Sequence, residues 1–232
     1  MSAEFVIVQS HPAHGPDLLG DLLASRARPV RLVARHDGAA LPPFEAVRAL
    51  VVLGGVAADD EVRALAARCA AEGVPVLATG LGASALADGV TAVPPAVTSV
   101  SPAEGADGDE VFEALEPDTG MVGGARLEAP AGALVLARSD DGPAAVRVGE
   151  AAYALAFAPE HDAAWLVAQL GGEADEDTVA ALTRRNRVLR PHSIALLGRW
   201  VDGVVGRTED EAPWGRRGPA PEARPGLYLN PA

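Results

Sequence analysis

Short apolar runs alternate with helical patterns over the first part of the chain, and this alternation sets the fold class. The apolar runs are nearly continuous, which is typical of strands that are buried on both faces. They lie at residues 5–9, 30–34, 49–53 and 74–78, and helical patterns occupy residues 17–24 and 59–72. Buried strands that alternate with helices form a parallel sheet covered on both sides. The sequence therefore predicts an α/β fold with a doubly wound, mostly parallel sheet flanked by helices.

The pattern changes after about residue 89. The β-like runs become short and are separated by Gly, Pro and Asp, which favours antiparallel strands added late to the sheet. These runs lie at residues 91–100, 133–137, 144–148 and 153–157. Helical patterns then occupy residues 162–170, 175–189 and 193–205. We expect Pro191 to separate the last two, because a proline ring cannot continue a helix interior.

We interpret residues 1–205 as a single domain and residues 206–232 as a C-terminal tail. The tail is rich in Pro, Gly and Arg and has few residues of core type. We therefore expect most of it to be extended or mobile. Trp214 and residues 227–229 are the exceptions, and we expect them to pack on the domain or on another subunit.

Composition excludes several classes of function. The formal net charge is −13, so we expect no nucleic-acid partner, because a phosphate backbone requires a basic face. No apolar run reaches the ~20 residues of a membrane span, and the N-terminus lacks the basic segment of a secretory signal. We expect no membrane contact and a cytoplasmic location. All nineteen basic residues are arginine, which excludes a Schiff-base lysine.

Cys69 is the only cysteine. A single cysteine cannot form an intrachain disulfide and argues against a cysteine-based metal site. It lies within the helical pattern at 59–72, so we expect it to be a small buried residue without a chemical role. We expect neither a metal ion nor a cofactor.

The apolar run at 74–78 leads into Thr79-Gly80-Leu81-Gly82, which precedes a helical start rich in small residues. This strand, sharp turn and helix resemble the nucleophile motif of the class I glutamine amidotransferases, which reads Leu-Gly-Ile-Cys-Leu-Gly-His-Gln-Leu-Leu-Ala in typical members. In that alignment the catalytic cysteine falls on Gly80. The resemblance implies a family member without its nucleophile.

A second motif agrees with the first. The run at 154–157 ends in Phe157-Ala158-Pro159-Glu160, which resembles the family's Phe-His-Pro-Glu motif with the histidine changed to Ala158 and the orienting glutamate kept as Glu160. Residues 49–55 resemble the family's strand ending in Gly-Gly, and residues 127–139 resemble its Leu-Pro-x-Gly-Ala segment. The resemblance spans residues 4–205 and implies a flavodoxin-like sheet with late antiparallel strands.

The resemblance also implies where a ligand would bind. Backbone amides of the family form an oxyanion hole, and Gly54, Gly55 and Leu81 fall on those positions. With Gly82 and Ser84 they form a candidate site for a small anion or a carbonyl oxygen. An alternative remains open, in which these glycines serve only tight turns and packing.

Two hypotheses of function follow from this degenerate triad, in which Gly80 and Ala158 have lost their side-chain chemistry and only Glu160 is kept. In the first, the protein is a non-catalytic binding or regulatory protein, whose ligand is a partner protein, its own copy in a homo-oligomer, or a small anionic or carbonyl compound. In the second, it is an enzyme repurposed to other chemistry.

The second hypothesis uses Glu160 as acid or base, assisted by His11, His14 or His161. Against it, we expect His11 and His14 to be surface residues of a turn, and His161 to point away from Glu160, its neighbour in sequence. A pocket filled by packed side chains favours the binding hypothesis. An open cavity that converges on Glu160 favours the enzyme.

Overall fold

A computed structural model describes residues 3–170 and 175–207. Nine strands form one curled sheet. The strands are β1 (Glu4–Gln9), β2 (Val30–Ala34), β3 (Val47–Val52), β4 (Val76–Thr79), β5 (Thr91–Pro102), β6 (Thr119–Arg126), β7 (Leu134–Ser139), β8 (Gly142–Val148) and β9 (Ala152–Leu155). Their order across the sheet is β2-β1-β3-β4-β9-β8-β7-β5-β6.

The helices are α1 (Asp17–Ser25), α2 (Asp60–Ala71), α3 (Ala163–Leu170) and α4 (Glu176–Arg199). A short 3₁₀ helix, Gly80–Ala85, follows β4 directly, and a π-helical segment, Trp200–Val205, continues α4. Within the described residues, no helix is long and apolar enough to span a membrane.

One half of the sheet is parallel, as predicted. Strands β2, β1, β3, β4 and β9 pair in parallel. Alternate residues of β1 enter two different cores: Phe5 and Ile7 pack in a cluster with leucines of α1 and with Trp200 of the π-helical segment, and Val8 packs in a cluster with Cys69 of α2. Both faces of the sheet are therefore covered, which confirms the doubly wound α/β fold. The expected burial of Cys69 is also confirmed.

The other half of the sheet is antiparallel, also as predicted. Strands β9, β8, β7, β5 and β6 pair antiparallel in that order. The sheet curls until β6 approaches the end of β9, where the Ala158 amide donates to the Val122 carbonyl at 2.8 Å. A β-bridge between Gly123 and Phe157 lies beside it. The curl places the second motif of the sequence, residues 157–160, in the interior of the protein.

Strand β6 was not expected from the sequence. Three of its eight residues are glycine, and glycine weakens the sequence signal of a strand. The structure gives the reason for one of them. A Cβ on Gly123 would lie 2.6 Å from Oγ1 of Thr98 on the paired strand, so a larger residue would force the two strands apart.

The predicted break at Pro191 is wrong, because α4 runs through the proline without interruption. Proline in a helix interior costs about 3 kcal/mol. Leu189 before it and Leu196 and Leu197 after it are all buried, so packing on both sides holds the helix in one piece. The helical backbone continues to Arg207. The expected contacts of Trp214 and residues 227–229 lie outside the described residues.

Candidate functional site

A sharp strand-to-helix elbow lies at Gly80. Strand β4 ends at Thr79, and Gly80 begins the 3₁₀ helix with φ of +53°. Glycine adopts this left-handed conformation without the steric penalty that a Cβ brings. The Gly80 amide donates to the Phe157 carbonyl at 3.3 Å, which ties the elbow to the end of β9. A Cβ built on Gly80 would meet the Gly54 Cα at 3.5 Å, an ordinary contact distance.

The residues that follow the elbow are packed closely against β3. A Cβ on Gly82 would lie 2.5 Å from the Val52 carbonyl oxygen and 2.7 Å from that of Leu53, so only glycine fits. The Ser84 hydroxyl accepts from the Ala58 amide at 2.7 Å and donates to the Leu81 carbonyl at 2.8 Å. These contacts give Gly82 and Ser84 a packing role, and a role in ligand binding stays a prediction.

Glu160 is almost completely buried, at 1% exposure. Its Oε1 accepts a hydrogen bond from Thr79 Oγ1 at 2.6 Å, whereas Oε2 has no partner among the described residues. Burial raises the pKa of this carboxyl group, and the neighbouring His161 and the Thr79 hydrogen bond oppose the rise only in part. Ala158 is buried as well. The side chain of Glu160 is therefore shut away from solvent.

The turn between β1 and α1 packs directly on Gly54 and Gly55, which follow β3. A Cβ on Gly55, whose φ is +101°, would lie 2.6 Å from His11 Cβ and 2.8 Å from His14 Cδ2. A Cβ on Gly54 would lie 3.5 Å from His14 Nδ1 and 3.6 Å from the Gly80 Cα. The Gly54–Gly55 turn thus lies between the elbow and the two histidines.

Side chains from three segments meet beside this turn, and we call them the histidine cluster: His11, His14, Asp17, His161 and Trp165. His161 Nδ1 lies 2.9 Å from Asp17 Oδ2, and His161 Nε2 lies 3.4 Å from His14 Nδ1. The His161 ring stacks on Trp165 with centroids 4.0 Å apart and an interplanar angle of 1°. His161 is fully buried and His14 half-buried.

The electrostatics of the cluster keep His14 neutral. Burial, together with the nearby His161 and His11, lowers its pKa to about 4, while Asp17 opposes the shift. His14 therefore carries no charge near pH 7. From the sequence we expected both His11 and His14 to be surface residues of a turn. His11 is exposed, whereas His14 is half-buried.

Solved structures show where this arrangement belongs. The chain is similar to a glutamine amidotransferase from Methylobacillus flagellatus, at 21% identity with a TM-score of 0.74, over 88% of this chain and 96% of that one. A glutamine amidotransferase from Thermotoga maritima matches at 17% identity and a TM-score of 0.71, over 88% and 100% of the two chains. The chain has the class I glutamine amidotransferase fold.

A more distant match supports the same assignment of fold. The structure of PurLQS from Thermotoga maritima contains a chain that is 12% identical, with a TM-score of 0.53 over 87% of this chain and 99% of that one. No protein-family model matches the sequence, and no curated protein is similar to it. The glutamine amidotransferase resemblance of the sequence is confirmed at the level of the fold.

Asp17 holds its place in this glutamine amidotransferase fold at a conformational cost. It has φ of +29°, unusual for a residue other than glycine, at the first position of α1. A Cβ on Gly15 would lie 2.8 Å from Asp17 Oδ1, so Gly15 makes room for the carboxylate. Strained residues of this kind persist where the surroundings fix them and often lie at functional sites. Here the strain accompanies the contact with His161.

A cavity of about 320 Å³ opens on the outer side of the histidine cluster. It is lined by Asp17, Leu18, Asp21, Asp162, Ala164, Trp165 and Arg190. Arg190 pairs with Asp162 at 3.2 Å across it. Glu160 is not among its lining residues. Over residues 3–170 and 175–207, no group of three or more His, Cys, Asp and Glu side chains is arranged to hold a metal ion.

Proposed function

We propose that this protein is a binding or regulatory protein built on the glutamine amidotransferase fold, without glutaminase chemistry. The observation that carries the proposal is the glycine at the elbow. The sequence resemblance aligns the family nucleophile with Gly80 and the family histidine with Ala158. Glycine cannot attack the amide of glutamine, and alanine cannot carry the proton.

The state of Glu160 supports this proposal. In the family the glutamate orients the catalytic histidine, and here alanine occupies the histidine position. Oε2 of Glu160 is buried without a partner, as expected for an acceptor whose natural donor is lost. The remaining oxygen bonds to Thr79. Glu160 then serves as a buried structural acid that links β4 to the segment after β9.

The proposed ligand site is the Gly54–Gly55 turn with Leu81 of the elbow. Within the described part of the chain, the amides of Gly54 and Gly55 have no hydrogen-bond acceptor. Unpaired amides at a turn bind anions and carbonyl oxygens. The proposed ligands are a small anionic or carbonyl compound at this turn, and a partner protein or a second copy of the chain on the surface. We place the protein in the cytoplasm.

A second candidate function is an enzyme repurposed to other chemistry. The observation that favours it is the histidine cluster, which brings titratable side chains to the Gly54–Gly55 turn. Glu160 has no solvent access of its own, so histidines of the cluster would be the groups that reach a ligand. We rank this function second, because the resemblance supplies no nucleophile.

The test is an assay of ammonia release from glutamine, with and without an ammonia-accepting synthetase. We expect no release above the buffer background and no labelling by a glutamine-derived affinity reagent. An active glutamine amidotransferase run in parallel is the control. Release that exceeds the background and survives Glu160→Ala would contradict the proposal, because it would require a nucleophile elsewhere in the pocket.

A further inference from the structure

The hydrogen bonds of the histidine cluster fix the positions of its protons. An ionised carboxylate only accepts hydrogen bonds, so Asp17 Oδ2 accepts from His161 Nδ1 over 2.9 Å. With one proton on the ring, His161 Nε2 must then be an acceptor. The contact of 3.4 Å with His14 Nδ1 is satisfied only when His14 donates. His14 Nε2 is left with a lone pair.

This lone pair has no hydrogen-bond partner in the part of the chain that the structure describes. The ring that carries it packs against the Gly54–Gly55 turn, where the amides of both glycines are also unpaired. A proton acceptor and two amide donors therefore lie at the same turn. An imidazole acceptor beside amide donors is the arrangement that general-base chemistry on a carbonyl compound requires.

We propose that Asp17, His161 and His14 form a proton relay. In this relay, His14 Nε2 takes the proton of a small ligand that carries an acidic O–H group next to a carbonyl oxygen. The proposal rests on the proposed binding of such a ligand to the amides of Gly54 and Gly55. It differs from the family chemistry in using neither residue 80 nor Glu160.

The proton transfer balances without any other reactant. The O–H bond of the ligand breaks, its electron pair stays on the ligand oxygen, and a new N–H bond forms at His14 Nε2. His14 passes its Nδ1 proton to His161 Nε2. His161, now with a proton on both nitrogens, is an imidazolium paired with the Asp17 carboxylate, while the amides of Gly54 and Gly55 face the charge on the ligand.

The surroundings hold this relay in one arrangement. Trp165 stacks on His161 and donates from its indole nitrogen to the Ala13 carbonyl at 2.9 Å, which locks the ring in place. Asp17 is partly exposed and lines the cavity of about 320 Å³. Asp17, at the far end of the relay, therefore contacts solvent, and the proton held on His161 can leave through it.

The charges around His14 suit a base that acts only on a bound ligand. His161, His11 and Asp17 are the titratable groups that face it, and burial with the two histidines lowers its pKa to about 4. His14 is therefore unprotonated near pH 7 and ready to accept. Transfer then depends on the ligand oxygen being held beside it, since the free base is weak.

The first test reads the tautomers directly, with nuclear magnetic resonance of ¹⁵N-labelled histidine rings in the full chain at pH 7. We expect the proton on Nδ1 in both His14 and His161, and a bare Nε2 in His14. His14→Gln and His161→Gln assign the signals. A proton on His14 Nε2 would overturn the relay, and the tautomer itself is read in the wild-type protein.

The second test uses two probes, acetohydroxamic acid, which has a carbonyl and an acidic O–H group, and acetamide, which has the carbonyl alone. We expect wild type to bind acetohydroxamic acid about tenfold more tightly than acetamide. His14→Gln should remove this excess, so that the two probes bind alike. Asp17→Asn, which keeps the shape of the side chain, should reduce the excess. His36→Gln, on the exposed surface, is the matched control and should change neither probe.

The outcomes separate this inference from the proposed function. Binding of both probes with no excess for acetohydroxamic acid would overturn the relay and leave the ligand site standing. An equal loss of both probes in His14→Gln would also overturn it, because the histidine would then act through packing. Failure of both probes to bind wild type would overturn the ligand site and the relay together.

Discussion

The two sides of the Gly54–Gly55 turn differ in what they offer to a ligand. On the elbow side, Gly80 and Ala158 supply backbone and no reactive side chain, and Glu160 is sealed from solvent. On the other side, the histidine cluster brings titratable groups against the same turn. In this protein the elbow supplies backbone geometry on one side of the turn, and the accessible ionisable groups lie on the other side.

Burial shifts the pKa values of the titratable groups on the two sides of the turn in opposite directions. Burial favours the neutral form of any titratable group, so it raises the pKa of Glu160 and lowers that of His14. Both groups are therefore held neutral over a wider pH range than in water. If the elbow side is structural, its variants should change stability, whereas variants on the histidine side should change titration and ligand binding.

The largest expected effect is on the elbow side, in Gly82→Ala. The new methyl group would lie 2.5 Å from the Val52 carbonyl oxygen, and overpacking of this kind costs about 2–3 kcal/mol. We expect the free energy of unfolding in urea to fall by that amount. Gly124→Ala is the matched control, because a Cβ there meets nothing within 4 Å. Equal stability of the two variants would show that the elbow does not pack on β3 as described.

The next expected effect is the pH dependence that Glu160 imposes on stability. The pKa of this carboxyl group is raised in the folded state above its ordinary value of 4.5. The unfolded chain therefore releases the proton first, and Glu160 costs stability as the pH rises above 4.5. Glu160→Gln removes the titration. The free energy of unfolding of this variant should rise relative to that of wild type as the pH increases above 4.5, and a constant difference would contradict the burial argument.

His14 should make the free energy of unfolding depend on pH in the opposite direction. Its pKa falls from the ordinary 6.5 to about 4 on folding, so the unfolded chain binds the proton first. Wild type should therefore lose stability as the pH falls from 6.5 to 4, by roughly 1 kcal/mol after allowance for the half-exposed ring. His14→Gln should lack this loss. Parallel curves for the two proteins would place His14 in solvent and weaken the account of the cluster.

Cys69 lies near the C-terminal end of α2, a helix that packs on the 3₁₀ helix of the elbow. Cys69 is fully buried, and burial raises the pKa of its thiol to about 12. Cys69→Ser should cost about 1 kcal/mol of stability, because the hydroxyl is buried in an apolar cluster, and should leave ligand binding intact. Loss of binding by a variant that unfolds normally would show that the thiol has a function.

The sequence predicted the architecture better than the site. Continuous apolar runs predicted the parallel half, short β-like runs after residue 89 predicted the antiparallel addition, and the motif at residues 79–82 predicted the elbow at Gly80. Strand β6 was missed, because glycine weakens the sequence signal of a strand and the reason for Gly123, the close approach of Thr98, is visible only in the structure. The break at Pro191 was wrong, because tertiary packing of α4 outweighs the local cost of proline.

The histidine cluster could not be predicted from any local pattern. His14 and His161 are far apart in sequence, and neither lies in a motif that predicts their contact. One signal was available. Strands β1 and β3 are parallel neighbours, so the turns after them share an edge of the sheet. Gly55 has no Cβ, which leaves space for His11 and His14. Burial of His14 follows from that contact.

We propose that residue 80 lies at a nucleophile elbow that has lost its nucleophile. The thiol pKa of Gly80→Cys in a Cys69→Ser background tests this proposal directly. The partial positive charge at the start of the 3₁₀ helix favours a thiolate. We predict a pKa at least about one unit below the ordinary 8.5 and faster alkylation at pH 7. Gly38→Cys is the matched control, since Gly38 also has positive φ, at +79°, and open surroundings.

Adding Ala158→His should give Glu160 Oε2 a donor and permit slow covalent capture of a glutamine analogue. The decisive measurement is still the comparison of Gly80→Cys with Gly38→Cys. A lowered pKa and faster alkylation for Gly80→Cys than for Gly38→Cys would confirm the elbow, whereas equal values in the two variants would mean that residue 80 is an ordinary turn and that the account of the site is wrong.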